Sequence, residues 1–350
     1  MECIQQSISY SFCRMSLYAI ESGQLLCETA SNRTVLYNLN NPASLPSHKQ
    51  RNLPVSLETE IRSIIADSGA EMGVCVRHLE SGEEVAMDAD RSFPLASVFK
   101  IPVLVEAFRQ LHAGRFRMEE RWELTTAEKN LPSGVLTFCG DGLKPTARDL
   151  ITLMIIISDN TATDMVMHRL GVENVTKAMH ALGLTDIHVP LTVRDIFTDL
   201  YASADPTQDL LELAKQSSRR DGIAYSSGPE NNVGTPRALT DLLQLIWQGD
   251  IISRAACDGM LEILLKQQLN ERLPRFLPPG RPFAHKTGTL GGVRNDSGIL
   301  YANDNSHIAV TVFCRWDDQS VTDPIAKWER IISIDSAFGK IGRAVYERYK

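Results

Sequence analysis

At 350 residues the chain is long enough for two domains or for one large domain with an insertion, and 43% hydrophobic against 23% charged residues is the balance of a folded globular protein. A net charge of −7 without any dense Lys/Arg run speaks against nucleic acid or an anionic membrane as the main partner. No apolar run reaches the roughly 18 residues that cross a bilayer.

The start "MECIQQSISYSFCRMSLYAIESG" lacks a basic segment followed by an apolar core, so the chain as it reads is expected in the cytoplasm, or in the periplasm or outside the cell if its native start differs. Residues 1 to 52 are Ser- and Asn-rich with weak periodicity and read as an extension ending in the linker "NLNNPASLPSHKQRNLP". The seven cysteines are odd in number, scattered, and without a Cys-x-x-Cys pair, which favours reduced thiols. No His-Glu-x-x-His or similar ligand spacing is present, so neither a metal nor a cofactor is expected.

From about Val55 the pattern sharpens. "LETEIRSIIADSG" has helical spacing and stops at Gly69, and "MGVCVRHL" and "EEVAMDA" flank Glu80-Ser81-Gly82 as a hairpin. "SVFK" then opens the apolar run "IPVLVEAF", where Pro102 predicts a kink or a late helix start. Residues 115 to 269 read as mostly helical. Thr146 and Asp149 cap "ARDLITLMIII", a helix expected to be buried all round, and "SDN" separates it from "TDMVMHRL", with Asn160 or Thr161 as cap and Asp164 completing the box. Further helices open at Thr235-Pro236, stopping at Gly249, and cover "AACDGMLEILLKQQ".

"PFAHKTGTLGGVRNDSGILY" reads as a hairpin turning at Gly291-Gly292, both with positive φ. "HIAVTVFC" alternates with period 2, and Asp323-Pro324 starts a long amphipathic helix with Trp328, Ile331, Ile332, Phe338, Ile341 and Val345 on its apolar face. The fold class expected is α+β: an antiparallel sheet domain over 53–114 and 270–350, flanked by N- and C-terminal helices and interrupted by an all-helical subdomain over 115–269.

Three short motifs carry chemistry. Ser97 and Lys100 stand three apart, so on a helix the hydroxyl and the amine share a face; the amine can take the hydroxyl proton if burial lowers its pKa. Ser158-Asp159-Asn160 is a polar loop between apolar helices, suited to presenting Ser158 as a proton shuttle and Asn160 as an amide contact. Lys286-Thr287-Gly288, followed by Thr289, suits a substrate-binding strand edge, where a glycine allows close approach and the cation and hydroxyl attract a carboxylate. One or two Ser-x-x-Lys matches arise by chance in a chain of this length, but all three motifs in this order do so in well under about one chain in a hundred.

Over about residues 55 to 350 the combination Ser-x-x-Lys, Ser-Asp-Asn, Lys-Thr-Gly resembles the class A β-lactamases, within the wider family of penicillin-binding proteins. The resemblance implies a serine hydrolase that forms an acyl-enzyme on Ser97 and hydrolyses a β-lactam or related cyclic amide. An esterase or amidase, and a penicillin-binding or sensing module that acylates without turnover, are the rival readings. The substrate expected is a small molecule with a reactive carbonyl and a carboxylate. Lys100 is then the base, Ser158 and Lys286 complete the proton network, and the N–H groups of Ser97 and Thr289 form the oxyanion hole. Asn160, Thr287, Gly288, Thr289 and Arg294 bind substrate. The family also carries a deacylating glutamate in a Glu-x-x-x-Asn pattern; at that distance this chain reads "PLTVRDIFTDL", which offers Asp195 as a shorter base. The stretch from Ser158 to Lys286 is longer than usual for the family, with the excess placed in 196–233.

Overall fold

The structure is a computed structural model that describes three backbone strands before residue 39 and then residues 56–131, 133–202 and 220–350. The three early strands are β1 (Ser16–Ile20), β2 (Gln24–Glu28) and β3 (Thr34–Asn38), paired antiparallel in chain order with Ser16 opposite Glu28 and Gln24 opposite Asn38. Reading 1–52 as an extension of weak periodicity misses this sheet. Each strand is five residues long and lies among Ser- and Asn-rich connections. Contacts divide the chain into Met1–Val55 and Ser56–Lys350.

In the second unit Ser56 caps α1 (Leu57–Ser68), its hydroxyl accepting from Thr59 N at 3.1 Å, and Gly69 closes the helix at φ 59°. The hairpin of β4 (Glu71–His78) and β5 (Glu84–Met87) follows where the sequence places it. After the short β6 (Phe93–Pro94), a 3-10 turn over Ala96–Phe99 leads into α2 (Lys100–His112). Pro102 therefore falls in the first turn of α2, where its missing N–H forfeits no helical bond; the late start occurs and the kink is unnecessary.

Four helices come next: α3 (Ala147–Ile156), α4 (Asn160–Leu170), α5 (Val172–Ala181) and α6 (Val193–Leu200). The Thr146–Asp149 capping box of α3 is formed in both directions. Its burial is one-sided, however: Arg148 and Asp149 are exposed, so the helix is not wrapped by core on every side. Strand β7 (Val233–Gly234) pairs with β6, and α7 (Pro236–Gln248), capped by Thr235 and ended by Gly249 at φ 83°, precedes α8 (Arg254–Leu264). The chain finishes with β8 (Phe283–Leu290), β9 (Val293–Asn303), β10 (Ser306–Arg315) and α9 (Pro324–Tyr349).

The sheet is antiparallel in the order β5-β4-β10-β9-β8, which leaves β8 as an edge. Period-2 alternation sends side chains to two cores. Ile308, Val310 and Val312 of β10 pack against α1 and α9 residues such as Ile61, Phe338 and Ile341. Ala309 and Phe313, at the alternate positions of the strand, join the core built by the helices, with Leu104, Leu239 and Met260. That second core runs without a break from sheet to helices, and Ser56–Lys350 is one contact unit.

Two local expectations are corrected. In the β8–β9 turn the left-handed residue is Gly292, at φ 68°; Gly291 is not left-handed. On α9, Trp328 and Ile332 are exposed at 66% and 52%, because the buried stripe begins with Ile334 one turn later. Among the described residues no helix is long and apolar enough to cross a membrane.

Candidate active site

The 3-10 turn after β6 decides where Ser97 and Lys100 go. At three residues per turn, positions i and i+3 stack directly, so both side chains leave on one side. Ala96, just before Ser97, is held at φ 44°, a conformation that costs a side-chain-bearing residue on the order of 1–3 kcal/mol and persists because its surroundings impose it. Asn295 of β9 supplies part of that constraint: its amide donates to Pro94 O at 2.8 Å and Leu95 O at 3.0 Å, pinning the approach to the turn.

Lys100 is wholly buried. Its Nζ donates to Ser158 O (2.8 Å), Ser158 Oγ (3.0 Å) and Asn160 Oδ1 (2.9 Å), so its three bonds run to the Ser-Asp-Asn loop and not to Ser97. Burial lowers its pKa to about 7, against the opposing pull of the Asp159 and Asp164 charges. Two of its three partners, the carbonyl and the amide oxygen, can only accept; the Ser158 hydroxyl can reverse. A neutral amine would keep two donor bonds and accept from Ser158, which is the arrangement of a proton relay.

The loop that presents Ser158 is also over-determined. Ser158 adopts φ 59°, and Asp159, not Asn160 or Thr161, caps α4 by accepting from Ala162 N at 2.9 Å. The second oxygen of Asp159 takes the N–H groups of Val135 (2.6 Å) and Leu136 (2.9 Å), and Ser133 Oγ donates to Ser158 O at 2.8 Å. Asp164 does not complete a box either. It accepts from Val193 N, Arg194 N and Asn130 Nδ2 at 2.8, 2.9 and 2.6 Å and ties the start of α6 to α4. Desolvation raises its pKa, an effect these hydrogen bonds oppose.

Edge strand β8 closes the other wall. Alternation points Lys286 and Gly288 toward the helices with Ala284. Lys286 is fully buried, donates to Thr287 O at 2.7 Å, and has its pKa driven well down by burial and then by the charges of Lys100 and Arg272. A Cβ on Gly288 would lie 2.6 Å from Leu95 O and 3.2 Å from Ser97 N. The glycine therefore serves close approach of the strand to the Ser97 turn, whereas the sequence suggested approach of a ligand. Arg272, 2% exposed, braces this strand from behind, donating to Gly288 O and Asn295 O at 2.8 Å each and to Thr289 Oγ1 at 2.5 Å. Arg294, directly opposite Thr289, lies over the Trp316 ring and donates to Leu290 O and Val293 O.

These elements enclose a cavity of about 480 Å³, within the range of small-ligand pockets. Ser97, Ser158, Asn160, Thr287, Thr289 and Arg294 line it. Lys100, Lys286 and Gly288 stand behind that lining. Asp195 is not part of it: exposed on α6, it accepts from Thr192 N at 2.9 Å and Thr192 Oγ1 at 2.7 Å in a capping box. The expectation of Asp195 as a deacylating base is corrected accordingly, since an N3 carboxylate is turned back along its helix. Among the described residues lining the cavity, Asp318 is the one carboxylate, and Arg220 holds it at 2.8 and 2.9 Å. No group of three or more His, Cys, Asp or Glu side chains able to hold a metal occurs among the described residues. Sequence reasoning missed Asn295, Arg272 and Asp164 as supports; polar residues inside the apolar pattern "VRNDSGILY" were the available signal for the first.

A model of the β-lactamase enzyme family matches residues 56–349. The β-lactamase regulatory protein BlaB of Streptomyces cacaoi is 26% identical over 276 residues, spanning 73% of this chain and 88% of that protein. A β-lactamase of Sphaerobacter thermophilus has a solved structure that superposes with a TM-score of 0.66 at 28% identity, covering 83% of this chain and 96% of that one. A variant of PBP-A, solved as an acyl-enzyme complex with penicillin G, superposes at 0.65 with 25% identity, covering 83% and 95%.

Proposed function

Because this chain belongs to the β-lactamase enzyme family, we propose that it is a serine hydrolase that takes a β-lactam or related cyclic amide onto Ser97 as an ester, and that hydrolysis of this ester is the slower half of its cycle. The observation that carries the proposal is Lys100: wholly buried, with a pKa lowered to about 7, and bonded to a reversible hydroxyl that lines the same cavity as Ser97. Neutral Lys100 takes the proton of Ser97 Oγ as it attacks the carbonyl carbon. The N–H groups of Ser97 and Thr289 receive the oxyanion, which is usually the larger electrostatic term in acyl transfer. When the C–N bond breaks, Ser158 gives its proton to the leaving nitrogen and is resupplied by Lys100. Thr287, Thr289 and Arg294, which line the cavity, attract the carboxylate of the substrate, while Lys286 stands behind them in the proton network. Asn160, whose Oδ1 already accepts from Lys100 and whose Nδ2 donates to Leu131 O, orients the lysine and offers its remaining lone pair to an amide N–H.

Hydrolysis of the ester needs a base for water. Among the described residues lining the cavity the one carboxylate, Asp318, is ion-paired, and Lys100 is assigned to this step as well. The likeness to a regulatory protein supports a second reading, in which the chain acylates, stalls and signals. A chromogenic cephalosporin followed by intact mass spectrometry distinguishes these. A stoichiometric burst with a Ser97 adduct and slow release is expected; an adduct that never decays supports the sensor, and release only from a p-nitrophenyl ester supports an esterase. Ser97→Ala is expected to remove both burst and adduct while leaving the circular dichroism spectrum intact; turnover persisting in that variant would sink the mechanism.

A further inference from the structure

We infer that His285 and Asp296, a buried pair on the face of the sheet away from the cavity, are positioning residues for Lys286 that fix the charge its amine carries. The inference rests on the place given to Lys286 in the proton network above. Lys286 points to the cavity side of β8, so His285, one residue before it, points the other way, its ring centroid 4.7 Å from that of Phe283, which belongs to the core of α1 and α9. There its Nδ1 meets Asp296 Oδ1 at 2.8 Å, with both residues at 0% exposure. The neighbouring strand has no side chain where the ring sits: Gly298 is the register partner of His285, and a Cβ on it would lie 2.3 Å from His285 Cβ.

A buried pair of this kind is weak evidence of a stabilising role, since well-packed apolar residues of similar volume often serve a core as well. Its connections point to a different one. The second oxygen of Asp296 accepts from Leu273 N at 3.1 Å, and His285 Nε2 faces Asn270 Oδ1 at 3.1 Å, so the pair ties β8 and β9 to residues 270–273, the segment that also carries Arg272. Charged groups face the Lys286 amine from each of these elements. Lys100 from α2 and Arg272 from that segment favour the neutral amine, whereas Asp296 from β9 and Glu271 favour the ammonium. Glu271 is exposed and screened by solvent, which leaves Asp296 as the buried counter-charge of the two. The His285 hydrogen bond holds that carboxylate in place.

The test follows the NMR resonance of isotope-labelled Lys286 Cε against pH in the full chain, assigned by its loss in Lys286→Arg. Asp296→Asn keeps the shape and removes the charge, and should lower the titration midpoint by about one pH unit. His285→Leu leaves Asp296 without its donor and should move the midpoint the same way. His285→Asn, whose amide restores a donor toward Asp296, should return it to near the wild-type value. Glu271→Gln, a surface change that folding tolerates, should leave it unmoved. The rate of Ser97 adduct formation in Asp296→Asn, taken relative to wild type, should fall only at pH values where the two Lys286 titrations diverge. A midpoint unmoved in folded Asp296→Asn, His285→Asn no nearer to wild type than His285→Leu, or a rate lowered equally at every pH each overturn the inference. Should the core variants misfold, Glu271→Gln decides: a lowered midpoint there makes Glu271 the counter-charge and overturns the role of Asp296. Because the midpoint is read without acylation, absence of any Ser97 adduct overturns the Ser97 reading and is a separate result.

Discussion

Lys100 is held by two opposing influences, and the balance sets its chemistry. Removing an ammonium from water is costly, which drives the pKa down, while three oxygen acceptors and two nearby aspartates favour the charge. The outcome near 7 has a sign that can be checked. Below that pH the amine is protonated and cannot take the Ser97 proton; above it the base is free. Acylation rate constants measured from about pH 5 to about pH 9 should therefore rise through a midpoint near 7, and a flat profile would remove Lys100 as the base. Asp195 makes the opposite case. Its carboxylate serves a helix end, so Asp195→Ala should cost about 1 kcal/mol in denaturant unfolding and leave adduct formation and release unchanged. Altered release would restore it to the mechanism. Both residues are plain in the sequence; burial separates them, and burial belongs to the packed chain.

At the level of elements, the site depends on how closely edge strand β8 lies against the turn that carries Ser97. Gly288 permits that approach, and Arg272 and Asn295 fix it from behind and from the side. Gly288→Ala would place a methyl group against Leu95 O and must push the strand outward. A displacement of that kind moves the Thr289 N–H from the oxyanion position, and acylation is expected to fall on the order of a hundredfold with secondary structure retained. An unchanged rate would mean that the strand can move without consequence. The sequence pointed to the glycine and to its closeness to something, but the partner it approaches is the chain's own backbone at Leu95 and Ser97, far away in numbering. Caps and turns were legible for the reverse reason: Thr146–Asp149, Thr235 and Gly69 act on neighbours three or four residues away. Helix α6, only eight residues long, carries one local signal in the sequence, Asp195, whose carboxylate suits a helix cap as well as a catalytic base.

For the whole molecule, the two sheet-bounded cores account for the order of the motifs. Strands from both ends of Ser56–Lys350 must meet in one sheet, so the Ser-x-x-Lys turn entering from β6 and the Lys-Thr-Gly strand returning as β8 come together, with the Ser-Asp-Asn loop held between α3 and α4. The described buried residues of both cores lie in that unit. A chain shortened to residues 56–350 is accordingly expected to fold and to form the Ser97 adduct at the wild-type rate, measured by intact mass and thermal unfolding. Loss of either would assign the early three-stranded sheet a part in the site.

The sequence by itself determined the fold class, the family likeness and the three motifs, because each is written in local spacing: a period of two or of 3.6, a cap three residues from its partner, a tripeptide. Only the tertiary structure decided which of those groups share a cavity, that Lys100 is dry enough to lose its proton near neutral pH, and that Asp195 faces away. Those properties depend on desolvation and on distances between residues far apart in the chain, and neither quantity exists until the two cores have closed around them.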